Sequence, residues 1–283
     1  MPHTPETAGS PPAAPQSAEG LTHAAVTARL RAAGCVFAEE EARIILDTAA
    51  TPAEAAAMTA GRAAGRPLEH VVGWAEFCSL RIEVDAGVFV PRRRTELLVR
   101  EAAALGRAAL AARGRVVVAD LCCGSGAVGA ALAAALGRTE LHAADLDPAA
   151  VACAARNIAA AGGRAHCGDL FAALPAALRG RVDVLAANVP YVPTGAVALL
   201  PSEARDHEAR IALDGGPDGL DVLRRVAADA GGWLAPGGSV LVEAGERQAA
   251  AAAGVLGDGG LLARTATDDD LGATVVIGTR PSR

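Results

Sequence analysis

From Arg115 onward, short apolar runs alternate with alanine-rich stretches of helical period. The runs VVVADL, ELHAADLD, GRAHCGDL, VDVLAAN, SVLVEA and ATVVIGT read as strands. Strands spaced by helices predict a largely parallel, doubly wound α/β sheet. The last run follows LLARTATDDDLGA with no helix between, so it is expected to enter by a hairpin and run antiparallel.

Upstream, the pattern is helical over residues 21–65. Ala25, Arg29 and Ala32 fall at helical spacing, and EEEARIILDTAA groups Ile44, Ile45 and Thr48 on one side. Two or three short helices are expected to form a small N-terminal domain. Over residues 66–94, Leu80, Ile82 and Val84 alternate with polar residues, and Asp85-Ala86-Gly87 supplies a turn before Val88-Phe89-Val90, which predicts a linking β-hairpin. A helix then starts near Thr95, where threonine followed by Glu96 suits a first turn, and residues 95–283 carry the main domain. Residues 1–20 hold almost nothing to bury and are expected to form a disordered tail.

Apolar residues make up 52% of the 283 positions but aromatics only 2%, so Ala, Val and Leu must fill the core. Every one of the 26 basic residues is arginine. A chain without lysine excludes pyridoxal Schiff-base chemistry and the phosphate lysine of an ordinary P-loop. The net charge of −6 argues against the broad basic face of a stable nucleic-acid binder, though local patches stay open; the densest basic run, Arg92-Arg93-Arg94, also reads as a solvated turn. Six cysteines show neither a C-x-x-C pair nor zinc spacing and are expected to be reduced, mostly buried thiols. With no secretory h-region and no apolar run of membrane length, the reading is a soluble, cytoplasmic protein without a membrane partner.

The chemistry concentrates after the first strand. In VVVADLCCGSGAVGAAL, Gly124, Gly126 and Gly129 form a G-x-G-x-x-G pattern between a strand and a helix. Asp145 follows Gly124 by 21 residues at the end of the next strand, where a carboxylate takes ribose hydroxyls. A dinucleotide and S-adenosyl-L-methionine both remain open as ligands of such a unit. Asp120 favours the second, since a carboxylate there faces an ammonium and repels a pyrophosphate; its other reading is a cap or loop clamp. Cys122 and Cys123 are read as small residues at close quarters rather than nucleophiles, and Ser125 as part of the cofactor-binding loop. Asp169 in CGDLF is placed to accept from an adenine amine with Leu170 on the ring, or to cap a helix.

The fourth strand ends at Asn188, followed by Val189, Pro190 and Tyr191, the only tyrosine. Methylating an amide or aromatic amine requires its delocalised lone pair to be turned toward the methyl donor. The Asn188 side-chain oxygen and the Val189 carbonyl are suited to accept the two N–H groups, with Pro190 stiffening the backbone and Tyr191 forming a flat wall. A Pro-rich loop with one packed tyrosine is the plainer alternative.

DLCCGSG, AADLDP, GDLF and NVPY, in this order, resemble the class I S-adenosylmethionine-dependent methyltransferases. Together with PLEHVVGWAEF, VFVPRRRTELLV and EARIALDGGPDGLDVL, they resemble the HemK-like protein-(glutamine-N(5)) methyltransferases of peptide-chain release factors, over about residues 66 to 280. The resemblance implies a Rossmann-like, seven-stranded, mostly parallel sheet and methylation of a glutamine amide in a Gly-Gly-Gln segment of a release factor. It implies cofactor contacts from Cys122 to Gly126, Asp145 and Leu170, and glutamine contacts from Asn188 to Tyr191. Glu208, Arg210 and Asp218 fall in the family's second segment, where a structural role is equally in view. The chain departs from the pattern at Val189, where the family has a proline, at Arg93 and Arg94, where it has a proline and a glutamate, and at Ala209, where a central proline is usual. A nucleic-acid amino methyltransferase and a non-catalytic S-adenosylmethionine-binding paralogue are the competing readings.

Overall fold

A computed structural model describes residues 21–282; the expected tail over residues 1–20 lies outside them. The chain divides into two compact units, one through Ala64 and one from Gly65.

The first unit contains α1 (His23–Ala32), α2 (Ala38–Thr48) and α3 (Pro52–Ala63). Thr22 caps α1 by accepting from the Ala25 amide, and Thr51 caps α3 by accepting from the Glu54 amide. The buried stripe of α1 is Val26, Thr27 and Leu30, so the expected Ala25, Arg29 and Ala32 face is the exposed one. Alanine and the arginine stem fit either side of a helix, and the larger side chains decide which side is buried. On α2, Ile45 is fully buried while Ile44 and Thr48 are half-buried. A buried, two-pronged ion pair from Arg62 to Glu41, at 2.7 and 3.0 Å, ties α3 to α2.

The second unit opens with α4 (Leu68–Val72) and a two-stranded hairpin of β1 (Trp74–Phe77) and β2 (Leu80–Glu83). The hairpin turns at Cys78 and Ser79, both at positive φ (49° and 60°), and not at Asp85-Ala86-Gly87 as the sequence pattern predicts. Residues 88–90 form no strand; Val88 and Val90 are buried in irregular backbone. After a single 3₁₀ turn come α5 (Glu96–Arg113), β3 (Val116–Leu121), α6 (Ala127–Leu136), β4 (Thr139–Asp145), α7 (Pro148–Ala159) and β5 (Arg164–Cys167). The remainder is β6 (Val182–Ala187), α8 (Ser202–His207), α9 (Asp221–Trp233), β7 (Leu234–Glu243), α10 (Ala249–Asp258), β8 (Leu262–Asp268) and β9 (Ala273–Thr279).

The sheet order is β5-β4-β3-β6-β7-β9-β8. Strands β3 to β7 pair in parallel, and β9 enters antiparallel between β7 and β8 through the expected hairpin. Strand alternation sorts the core into two layers. Val116 and Val118 of β3 face the layer holding Leu97, Leu98 and Leu132. Val117, Ala119 and Leu121 face the layer holding Val226, Trp233 and Leu256. Ala, Val and Leu dominate both layers as expected, and the second is anchored by stacked Phe171 and Trp233 rings 5.4 Å apart. The strand order reverses between β3 and β6, which opens a crevice at their carboxyl ends.

Candidate active site

That crevice is a cavity of about 430 Å³ lined by the glycine loop, the ends of β4 and β6, and the segments around residues 87–95 and 200–213. β3 carries Asp120 to the rim, and Cys122, Cys123, Gly124, Ser125 and Gly126 turn the chain into α6. Gly126 sits at φ +75°, and a Cβ there would lie 2.9 Å from Cβ of Ala154 on α7. At Gly129 a Cβ would meet the Asp120 carboxylate at 3.1 Å.

Asp120 is 1% exposed, and its Oδ2 accepts from the Gly129 amide at 2.9 Å, so the carboxylate clamps the first turn of α6 while lining the cavity. Burial pushes its carboxyl up to about 7, against the Gly129 hydrogen bond and with the help of the Asp145 charge. The folded chain therefore holds this proton more tightly than the unfolded chain, whose aspartate titrates near about 4. The stability Asp120 contributes is complete below that lower value and is lost as pH rises through the upper one. Urea midpoints of Asp120→Asn should consequently gain on the wild type between about pH 4 and pH 7; parallel pH profiles would refute it.

Asp145 accepts from the Gly124 amide at 2.9 Å and from the Asp147 amide at 3.0 Å, one bond on each oxygen. Each oxygen keeps a second acceptor position. Burial raises this carboxyl too, against those amide hydrogen bonds. Asp169 caps nothing; it pairs with Arg225 of α9 at 2.6 Å, and Leu170 beside it is held at φ +47° on the cavity wall.

At the end of β6, Asn188, Val189, Pro190 and Tyr191 line the same cavity as the glycine loop. Among the described residues the Asn188 side chain has no hydrogen-bond partner. The backbone of the motif is fixed from behind. The Val192 amide donates to Leu213 and the Gly215 amide to Val192, while Gln248 donates to the Tyr191 carbonyl at 3.0 Å. A Cβ at Gly215 would lie 2.5 Å from the Pro190 carbonyl oxygen, so the GGPDG stretch packs directly on the motif. The Tyr191 phenol donates to Glu243 at 2.8 Å. Burial first, and the Glu243 charge second, push it above the usual tyrosine range and keep it neutral.

Burial and neighbouring carboxylates push the thiols of Cys122 and Cys123 upward, which leaves them as neutral packing groups. Of the six cysteines Cys123 and Cys153 are buried and Cys167 is exposed, so the expected burial holds for two. In the second segment Glu208 accepts from the Val90 amide and Arg92, Arg210 pairs with Asp214, and Asp218 pairs with Arg224 and accepts from the Leu220 amide.

Residues 80–204 match the methyltransferase small domain family. A curated relative, release factor glutamine methyltransferase of Geobacter sulfurreducens, is 37% identical over 239 residues, 83% of this chain and 81% of that one. The chain belongs to the release factor glutamine methyltransferase family. The enzyme of that name from Moorella thermoacetica is 43% identical over 188 residues, and there the chain spans 66% of its own length and 65% of the relative's. A methyltransferase structure from Pyrococcus furiosus shares the fold, with a TM-score of 0.50 at 16% identity over 71% of this chain and 89% of that one.

Within this family member the sequence-predicted site residues line one cavity, except Gly126, which packs against Ala154 of α7. Sequence reasoning missed Arg225, Arg94 and Glu243. Arg225 lies 56 residues from Asp169, and Glu243 lies 149 from Arg94, separations at which no local pattern operates. Glu243 alone carried a signal, as a carboxylate ending an otherwise apolar strand. Among the described residues no helix is long and apolar enough to cross a membrane.

Proposed function

We propose that this chain transfers a methyl group from S-adenosyl-L-methionine to the side-chain amide nitrogen of a glutamine, in the Gly-Gly-Gln segment of a peptide-chain release factor. The observation that carries the reading is the Asn188 amide, unpartnered among the described residues, which shares one cavity with the glycine loop. The residues fit the cofactor on their own chemistry. Asp120, Asp145, Asp147 and Asp169 line the cavity, and its three arginines, Arg92, Arg94 and Arg225, are already paired with Glu208, Glu243 and Asp169. Such a lining suits a cationic ligand with hydroxyls and disfavours a pyrophosphate.

When bound, the cofactor supplies an electrophilic methyl on a sulfonium. Asn188 Oδ1 and the Val189 carbonyl accept the two N–H groups of the substrate amide, orienting its nitrogen and weakening its conjugation. Pro190 holds that carbonyl in place, and Tyr191 closes the planar wall. Asp145 would take the ribose hydroxyls on its remaining acceptor positions, and Leu170 would pack on the adenine. The reading places the reaction in the cytoplasm.

The test is incubation of the purified chain with S-adenosylmethionine and a release factor, read by mass spectrometry of the Gly-Gly-Gln peptide. One added methyl on glutamine is expected; methylation of RNA instead, or of nothing, would refute the reading. Asp145→Ala should weaken S-adenosylmethionine binding by about 1–3 kcal/mol through loss of charge-assisted bonds. Calorimetry with unchanged affinity would remove the ribose role.

A further inference from the structure

We infer that Arg94 is a positioning residue for the substrate wall, acting by holding the ring of Tyr191. This rests on the reading of Tyr191 as the substrate's wall. Arg94 stands on the cavity rim where the chain departs from the family pattern, and it closes a ring of hydrogen bonds. Its Nε donates to Glu243 Oε1 at 2.7 Å, and its Nη2 donates to the Tyr191 phenol at 2.6 Å. The phenol in turn donates to the same Glu243 oxygen at 2.8 Å. Thr95 Oγ1 donates to the other oxygen at 2.6 Å, so its hydroxyl is committed here and caps no helix as the sequence pattern suggests.

Glu243 is 3% exposed, and Arg94 is its counter-ion. A buried carboxylate with no cation beside it would be costly. The phenol receives one bond and gives one, which fixes the rotation of its hydroxyl and restrains the ring plane. The Arg94 guanidinium carbon also lies 5.8 Å from the ring centroid. Tyr191 spends its proton on Glu243 and so contributes shape to the site, not acid–base chemistry. A tyrosine with only one strand-end neighbour would swing on its Cα–Cβ bond; this one is gripped from β7 and from the 3₁₀ turn before α5.

The sole tyrosine supplies its own probe, since 13C labelling at its Cζ, which lies on the ring-flip axis, yields one resonance. In the wild type that line should be single and sharp. In Arg94→Met, and in Arg94→Met/Glu243→Gln, which leaves no buried charge unpaired, it should broaden or double. The KM for a Gly-Gly-Gln protein should rise about 10-fold with kcat changed less than about threefold, because the wall binds ground and transition states alike. S-adenosylmethionine affinity should hold. Arg94→Lys, which keeps the charge but replaces the planar fork by a point ammonium, should fall between. An unchanged line and KM in the folded double variant would overturn the assignment, as would a changed line with an unchanged KM, or failure of the double variant to fold. If the wild type methylates no Gly-Gly-Gln protein, the proposed function fails, and the Cζ line still decides whether Arg94 holds the ring.

Discussion

Asn188→Ala is expected to slow methyl transfer by roughly 10²-fold or more while S-adenosylmethionine affinity changes only a few fold. The side chain makes no bond within the described chain, so its removal leaves no partner stranded and little stability is at stake. What is lost is an acceptor fixed at the end of a fully buried strand, where it costs no reorganisation when the amide nitrogen turns pyramidal. Asn188→Asp keeps an acceptor in nearly the same place and should retain more turnover than alanine. Single-turnover rates with saturating cofactor, alongside calorimetry, provide the check. A folded Asn188→Ala protein that methylates a Gly-Gly-Gln substrate at the wild-type rate would sink the mechanism.

The second large effect is expected at Gly126. Alanine there must adopt a left-handed backbone, at about 1–2 kcal/mol, and must also push against Ala154 of α7, at about 1–3 kcal/mol. A combined loss of about 2–5 kcal/mol should appear in the urea midpoint, with cofactor affinity falling as the loop shifts. Gly124 is the internal control. It too lies at positive φ, but a Cβ there would meet only Phe89 at 3.7 Å, an ordinary contact. Gly124→Ala should therefore cost only the backbone part, about 1–2 kcal/mol. Equal losses at the two positions would show that packing against α7 is irrelevant.

How much of this could be read beforehand follows from the range of each interaction. The glycine loop, Asp120, Asp145 and Asn188 all lie at strand ends, and strand ends follow from hydrophobic runs that need no knowledge of neighbours. The sheet was legible for the same reason, down to the hairpin that turns β9 around. The first hairpin was misplaced because its turn uses Cys78 and Ser79 in left-handed backbone, while the glycine-bearing Asp85-Ala86-Gly87 gave the stronger local signal. Thr95 looked like a cap because capping is a local rule, but a buried carboxylate from the far end of β7 claims its hydroxyl. The grip on Tyr191 and the Asp169 pair with Arg225 are joined only by the folded sheet. Composition could not reveal them, since a chain rich in arginine and carboxylates offers many equivalent pairings.

The position of β9 also sets an order of events during synthesis. β8 touches the sheet only through β9, and β9 is made after both of its neighbours. Until it emerges, β7 presents Val240, Leu241 and Val242 along an edge of unpaired amides and carbonyls. At typical elongation speeds the interval from Glu243 to Ala273 lasts roughly 2–6 s, far longer than hairpin formation needs. The nascent chain thus carries an apolar strand edge for seconds before its partner is made.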